Sequence, residues 1–281
     1  MGTGTISNLD QLSEHAFAEA MLSRQYPLVG EAGIERLMNA VVAHAGLGGG
    51  GALALEMLAR AGIRKFRLLD RDCYEASNLN RQVFATVDTV GRPKVEVAAE
   101  RLRKINPHIK IEKSLFESVT PGNCEEMLVG ADLAMVCTDS PSSHIFFNQA
   151  ARRLGVRLIF GGAPGLGCAV WVEAHDQPGG SDGPLNRVRN MLRRARGAKD
   201  IYGLSEDEAL ALDSAHDRPG TFTPTISYVP NCSACLSAAL AVNYLAGLDT
   251  RPHSFRIDFK RFCSVGGISQ VLSTLRQQSR R

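Results

Sequence analysis

Val41-Val42-Ala43-His44-Ala45, running directly into Gly46-Leu47-Gly48-Gly49-Gly50-Gly51, is the stretch that decides the fold. The first five residues read as a strand, and the glycines fit G-x-G-x-x-G at Gly46, Gly48 and Gly51 just before an apolar helical period begins. The glycines make a tight turn, let the backbone approach a phosphate closely, and bring helix and strand together, leaving free N–H groups and the helix dipole facing an anion. Gly46, Gly48, Gly49 and Gly51 are therefore the candidate phosphate-facing positions. Asp70 stands 19 residues beyond Gly51, at the end of the next apolar run, where a carboxylate can accept hydrogen bonds from ribose hydroxyls.

Working outward from this stretch, short β-rich runs alternate with helical periods. Strands are expected at Val41–Ala45, Phe66–Asp70, Ile109–Lys113, Leu133–Cys137, Val156–Phe160 and Cys168–Val172, with helices near 51–61, 92–105, 119–129 and 141–154. That spacing predicts an α/β fold: a doubly wound, mostly parallel, Rossmann-like sheet. The helix at 52–61 carries only Glu56 and Arg60 among apolar residues, so it should be buried, whereas the one at 92–105 is amphipathic. We divide the chain into a helical lead-in (1–39, with helices over Asp10–Leu22 and Gly30–Asn39), a nucleotide-binding core (40–175), a long crossover (176–229) and a C-terminal part (230–281) completing the same domain. That last part should hold a buried helix over Cys232–Ala246 and late small strands at Phe255–Phe259 and Cys263–Val265. Inside the crossover, Ser205 and Glu208 are spaced to cap an acidic helix.

Composition limits the function classes. The chain has 281 residues, 44% hydrophobic and 22% charged, which excludes wholesale disorder and coiled coil. The longest apolar stretch, Leu236–Leu248, is interrupted by Asn243 and Tyr244 and falls short of the roughly 20 residues that span a bilayer, so no membrane association is expected. Seven scattered cysteines and an N-terminus without a basic-then-apolar leader point to free thiols in the cytoplasm. A net charge of +3 does not by itself argue for nucleic acid.

A redox dinucleotide needs little beyond the backbone amides, but a triphosphate reacting at phosphorus needs cations around the leaving group and usually a metal. The cations are present. Arg81 follows Asn78 in Ser77-Asn78-Leu79-Asn80-Arg81-Gln82. Lys94 falls in the first turn of a helix, where a positive charge opposes the helix dipole unless an anion binds there. Asp139, after an apolar strand, suits magnesium beside phosphate, or alternatively an N-cap for the next helix. No G-x-x-x-x-G-K-[ST] occurs, which excludes P-loop chemistry.

Taken in order, Arg24-Gln25, Gly46–Gly51, Leu69-Asp70-Arg71-Asp72, Ser77–Gln82, Gly91-Arg92-Pro93-Lys94, Ile105-Asn106-Pro107 and Cys137-Thr138-Asp139 resemble the ThiF, MoeB and HesA family of ATP-dependent adenylyltransferases, relatives of ubiquitin-activating enzymes. The resemblance covers about residues 20–175. It implies ATP and magnesium as the cofactors and AMP transfer to a carboxylate, often the C-terminal glycine of a small ubiquitin-like sulfur carrier or a peptide, with release of pyrophosphate. It also implies that Asp70 holds the ribose, that Asn78, Arg81 and Lys94 hold the phosphates, and that Asp139 holds magnesium. Arg24 matches an arginine that reaches the partner's triphosphate, so a homodimer is implied.

Two features depart from that pattern. His44 stands where an aliphatic residue is usual, and we read it as a buried neutral imidazole bonded to backbone. Zinc-binding relatives carry two Cys-x-x-Cys pairs, but this chain has one, Cys232 with Cys235, which speaks against structural zinc. No cysteine occurs between Cys168 and Cys232, so the crossover offers no thioester nucleophile, leaving only Cys232 near its end. Three further readings stay open. A carboxylate on modified tRNA is one, with the basic run Arg187, Arg189, Arg193, Arg194, Arg196 and Lys199 contacting phosphates. The others are an NAD-dependent oxidoreductase, which gives Arg81, Lys94 and Asp139 no work, and a nucleotide-binding protein without turnover.

Overall fold

The computed structural model describes residues 9–163, 165–176, 210, 211, 213, 214, 224–249, 251 and 254–259. The expected strand at 263–265, the Ser205 cap and the basic run 187–199 lie outside these residues. Helices α1 (Glu14–Leu22) and α2 (Tyr26–Asn39, with non-helical backbone at Gly30) lead into β1 (Val41–Ala45), α3 (Gly49–Arg60) and β2 (Lys65–Leu69). Then come α4 (Lys94–Ile105), β3 (Lys110–Leu115), α5 (Pro121–Leu128), β4 (Leu133–Val136), α6 (Pro141–Leu154), β5 (Arg157–Gly162) and β6 (Gly167–Glu173). A long helix, here α7 (Tyr228–Leu245), and a short strand β7 (Phe255–Asp258) close the described chain.

The strands form one sheet in the order β3-β2-β1-β4-β5-β6-β7. Pairings among β3, β2, β1, β4 and β5 are parallel; β6 and β7 are antiparallel additions. The chain leaves β1 toward β2 and β3, then returns to place β4 on the other side of β1, so the switch point lies between β1 and β4. Doubly wound sheets bind their ligands at that point, outside the carboxyl ends of the strands. The expected α/β doubly wound architecture is what the chain adopts. Differences from expectation are confined to element ends: α7 starts at Tyr228 with Pro230 in its first turn, and α1 starts only after Ser13, whose side chain caps it.

Each face of the sheet has its own core. Leu55, Leu58, Phe66, Leu68, Met135, Ile159 and Ala238 pack on the side of α3, α4 and α7. On the α5 and α6 side lie Ala45, Leu69, Val136, Phe147 and Phe160. As expected, α3 is buried; Arg60 Nη2 pairs with Glu56 Oε1 at 2.7 Å within the helix, and Arg101 Nε of α4 reaches Glu56 Oε2 at 3.2 Å. Two contacts fix where α3 begins. Gly46 adopts φ +85, and a Cβ added at Gly51 would lie 1.8 Å from the Gly46 carbonyl oxygen. The loop N–H groups are thereby held at the carboxyl end of β1.

His44 corrects an expectation. It is fully buried beside Leu68 and Met135, yet neither ring nitrogen has a hydrogen-bond partner among the described residues. The backbone groups around it are consumed by the two parallel ladders that flank β1, so none is left to bond the ring. Burial lowers its pKa to about 3. Between the ordinary value of 6.5 and about 3, the unfolded chain therefore holds a proton that the folded chain lacks. Proton uptake by the unfolded chain costs the fold nothing above 6.5 and progressively more as pH falls, at up to about 1.4 kcal/mol per pH unit.

Two predictions follow from this packing. His44→Leu should stabilise the protein at pH 7.5 by about 1–2 kcal/mol, because unmade buried hydrogen bonds are costly. It should also reduce the loss of stability on going to pH 5 in urea unfolding; an unchanged acid slope would show that His44 is not its source. Gly51→Ala should cost about 3 kcal/mol or more through overpacking. Gly50→Ala meets nothing nearer than Pro230 O at 3.4 Å. It should gain up to about 1 kcal/mol of helix propensity. Equal unfolding midpoints for the two variants would sink this account of the turn.

Candidate active site

The turn from β1 into α3 is anchored on one side by β2 and on the other by β4. Gly46 N donates to Leu69 O at 2.9 Å, and a Cβ on Gly46 would lie 2.8 Å from Thr138 N. Leu47 N donates to Asp70 Oδ2 at 2.6 Å, so the acid at the end of β2 holds the glycine turn itself. Asp70 Oδ1 accepts from Asp72 N at 2.9 Å. The carboxyl is buried, which raises its pKa, and nearby Lys94 opposes that rise. Each carboxylate oxygen carries a second lone pair, so Asp70 keeps capacity for a hydroxyl donor.

Lys94 and Arg81 both reach this neighbourhood. Lys94 opens α4, is 5% exposed and pairs through Nζ with Asp72 Oδ2 at 2.7 Å. Its ammonium also lies 6.0 Å from the Tyr74 ring centre, while the Tyr74 hydroxyl donates to Leu47 O at 3.4 Å. Arg81 borders the glycine turn: a Cβ on Gly49 would lie 3.5 Å from Arg81 Cγ. Its Nη1 donates to Ser77 O and Asn80 Oδ1, both at 2.9 Å, which holds the side chain against its own turn. Asn78 does local work. Its Oδ1 accepts from Glu75 N at 3.2 Å in a capping box, and its Nδ2 donates to Ser77 Oγ at 3.3 Å.

Asp139 follows β4 on the other bank of the crevice and is exposed. The N-cap of α6 is Ser140, whose Oγ accepts from Ser143 N at 3.2 Å, so the alternative capping role for Asp139 is taken by its neighbour. His144 donates Nε2–H to Thr138 O at 3.0 Å and packs beside Phe160 and Trp171, bracing the turn that carries Asp139. Burial lowers its pKa.

Arg24 lies elsewhere in the chain. Its neighbour Gln25 donates to Ala61 O at 2.8 Å, at the carboxyl end of α3. The glycine turn is at the other end of that helix, about 18 Å away. Arg24 is exposed there and does not join this chain's own crevice.

Several neighbours of the site went unassigned from sequence. Pro230 of α7 sits against Gly49, 3.0 Å from an added Cβ, and Gln82 Nε2 lies 3.8 Å from one on Gly48. Asp213 accepts from Ser140 Oγ at 2.7 Å, from Ser142 N at 3.3 Å and from Ser142 Oγ, bringing the segment between β6 and α7 to the start of α6. Long-range returns of this kind leave no local signal. Asp72 had one, since it stands two residues from Asp70 in the same turn. Cys232 lies against Cys168, whose thiol burial pushes up to about 12, and Cys235 is exposed. Among the described residues no group of three His, Cys, Asp or Glu side chains is arranged to hold a metal.

With this geometry in hand, the chain can be set beside known proteins. A sequence model described as the ThiF family matches residues 22–274. The sulfur carrier protein adenylyltransferase of Thermus thermophilus is 37% identical over 161 residues, covering 57% of this chain and 59% of that protein. The tRNA threonylcarbamoyladenosine dehydratase of Bacillus subtilis is 42% identical over 89 residues, covering 32% of this chain and 35% of that one. The crystal structure of selenomethionine PaaA superposes with a TM-score of 0.68 over 92% of this chain and 74% of that chain, at 20% identity, a likeness of fold. The chain spans little more than half the length of the curated adenylyltransferase it matches. The strand–glycine turn–helix, the acid at the end of β2 and the match across residues 22–274 make this chain a member of the ThiF family.

Proposed function

We propose that the protein is an ATP- and magnesium-dependent adenylyltransferase that activates a carboxylate at the end of a protein or peptide, such as a small ubiquitin-like sulfur carrier. Lys94 carries this reading. A buried ammonium in the first turn of α4 sits where the helix dipole is itself positive, close to the acid that pins the glycine turn. Such a charge needs an anion opposite it; half-exposed Asp72 supplies one, and a triphosphate entering the crevice would supply a second. An NAD site has no comparable need.

In the proposed reaction the glycine-turn amides hold phosphate oxygens and Asp70 accepts from the ribose. A carboxylate oxygen of the substrate attacks the α-phosphorus in line, the bond to the bridging oxygen breaks, and pyrophosphate departs with the electron pair. Lys94 and Arg81 neutralise charge growing on the leaving group, the interaction that lowers the barrier most. Asp139, exposed after β4 and beside the turn, fits magnesium, which keeps most of its shell for water and phosphate and takes one or two protein carboxylates. Bound magnesium would screen the phosphate charges. Arg24, which the resemblance assigns to a partner subunit's triphosphate, follows α1 beside Gln25, an α3 length from its own crevice, and this supports a homodimer.

The sulfur carrier relative favours a protein carboxylate. A second reading, a carboxylate on modified tRNA, is favoured by the tRNA dehydratase relative and by the basic run 187–199. Salt-dependent tRNA binding that disappears when those arginines are neutralised would select the second reading. Incubation with radiolabelled ATP and cell extract, followed by identification of the adenylated species, names the substrate. With that substrate, Lys94→Ala and Arg81→Ala should each lower magnesium-dependent ATP–pyrophosphate exchange by about 100-fold or more, with cooperative unfolding retained. Near-normal exchange in either variant, or tight NAD binding with indifference to magnesium-ATP, would overturn the assignment.

A further inference from the structure

Asp72 is given no role by the reaction proposed above, yet it is the residue through which Lys94 is held. Lys94 N donates to Asp72 O at 2.9 Å, and Lys94 Nζ donates to Asp72 Oδ2 at 2.7 Å. Asp72 N in turn donates to Asp70 Oδ1, and Asp70 Oδ2 accepts from Leu47 N of the glycine turn. One continuous run of hydrogen bonds thus connects the lysine to the backbone that faces a phosphate.

The two ends of the ion pair differ in a way that decides which can move. The Lys94 side chain is 6% exposed and the Asp72 side chain 54%. A buried ammonium without a counter-charge is heavily penalised, so Lys94 needs a partner at all times. A half-exposed carboxylate is hydrated already and loses little on swinging into water. Arg71 Nε lies 3.8 Å from Asp72 Oδ1 and offers the carboxylate a place to go. The other charged group acting in this cluster is Asp70, whose oxygens are bonded to Leu47 N and Asp72 N.

We propose that Asp72 is a positioning residue that stands in for phosphate: it holds Lys94 in the crevice while no nucleotide is bound, and gives the ammonium up when a triphosphate arrives. It competes with the nucleotide for one cation. The pair keeps Lys94 aimed and desolvated at a modest loss of nucleotide affinity, and the same carboxylate retakes the lysine as pyrophosphate leaves. This inference rests on the reading of Lys94 as a phosphate ligand.

Calorimetric titration of the full-length protein with magnesium-ATP tests it. Asp72→Asn should bind about five-fold more tightly at low salt, the size expected of a partly exposed ion pair, and the gain should shrink in high salt. Asp72→Ser, without a second amide to bond the lysine, should do the same. In a Lys94→Met background, Asp72→Asn should change nothing, since the cation it competes for is gone. A purely structural Asp72 would instead give weaker binding in both backgrounds. Unchanged or weaker binding in a folded Asp72→Asn or Asp72→Ser protein, with Lys94→Met clearly impaired, overturns the stand-in role alone. Undiminished affinity in Lys94→Met overturns the phosphate role of Lys94 and the stand-in role with it.

Discussion

The hydrogen bond from Leu47 N to Asp70 Oδ2 is the interaction on which the rest of the site depends. It ties a glycine turn at the end of β1 to an acid at the end of β2, and it works only because α3 can start almost on top of Gly46. Any side chain at Gly51 would push the helix away, and the amides would no longer converge on one place. The parallel sheet supplies the frame: because β1 and β4 are neighbours, the turn after one faces the turn after the other across a single crevice.

Charge within that crevice is arranged to be uncomfortable without a ligand. Asp70 is buried enough for its carboxyl to be pushed toward the neutral form, and Lys94 is buried at the wrong end of a helix for a cation. Lys94 offsets the rise at Asp70 directly, whereas the Asp72 carboxylate, which pairs with Lys94, adds to it. Net stabilisation from such partly buried pairs is small, because desolvation offsets attraction. Their persistence here is better explained by pre-organisation, since a lysine fixed before the nucleotide arrives does not have to be ordered during binding.

Strong local periodicity made most of the fold legible. Val41–Ala45, the amphipathic α4 and the apolar α3 each announce themselves within a dozen residues, and their bounds moved by only a residue or two. The site was legible to the extent that its residues follow strand ends: Gly46, Asp70 and Asp139 all do. The phosphate role of Asn78 came from the resemblance alone; that its side chain also caps the turn before Arg81 was not legible in spacing. His44 was read as satisfied because buried polar groups almost always are, and the ladders around it left it without a partner.

By itself the sequence determined the class of fold and the order of its elements, since both follow from short-range spacing. Tertiary structure alone decided that Asp72 holds Lys94, that Arg24 lies a helix length away from its own crevice, and that Asp213 returns from the crossover to the start of α6. These are matters of which distant atoms the packed sheet brings within bonding reach. Spacing along the chain encodes periodicity, whereas contact across 20 to 70 residues is set only when both cores close around the sheet.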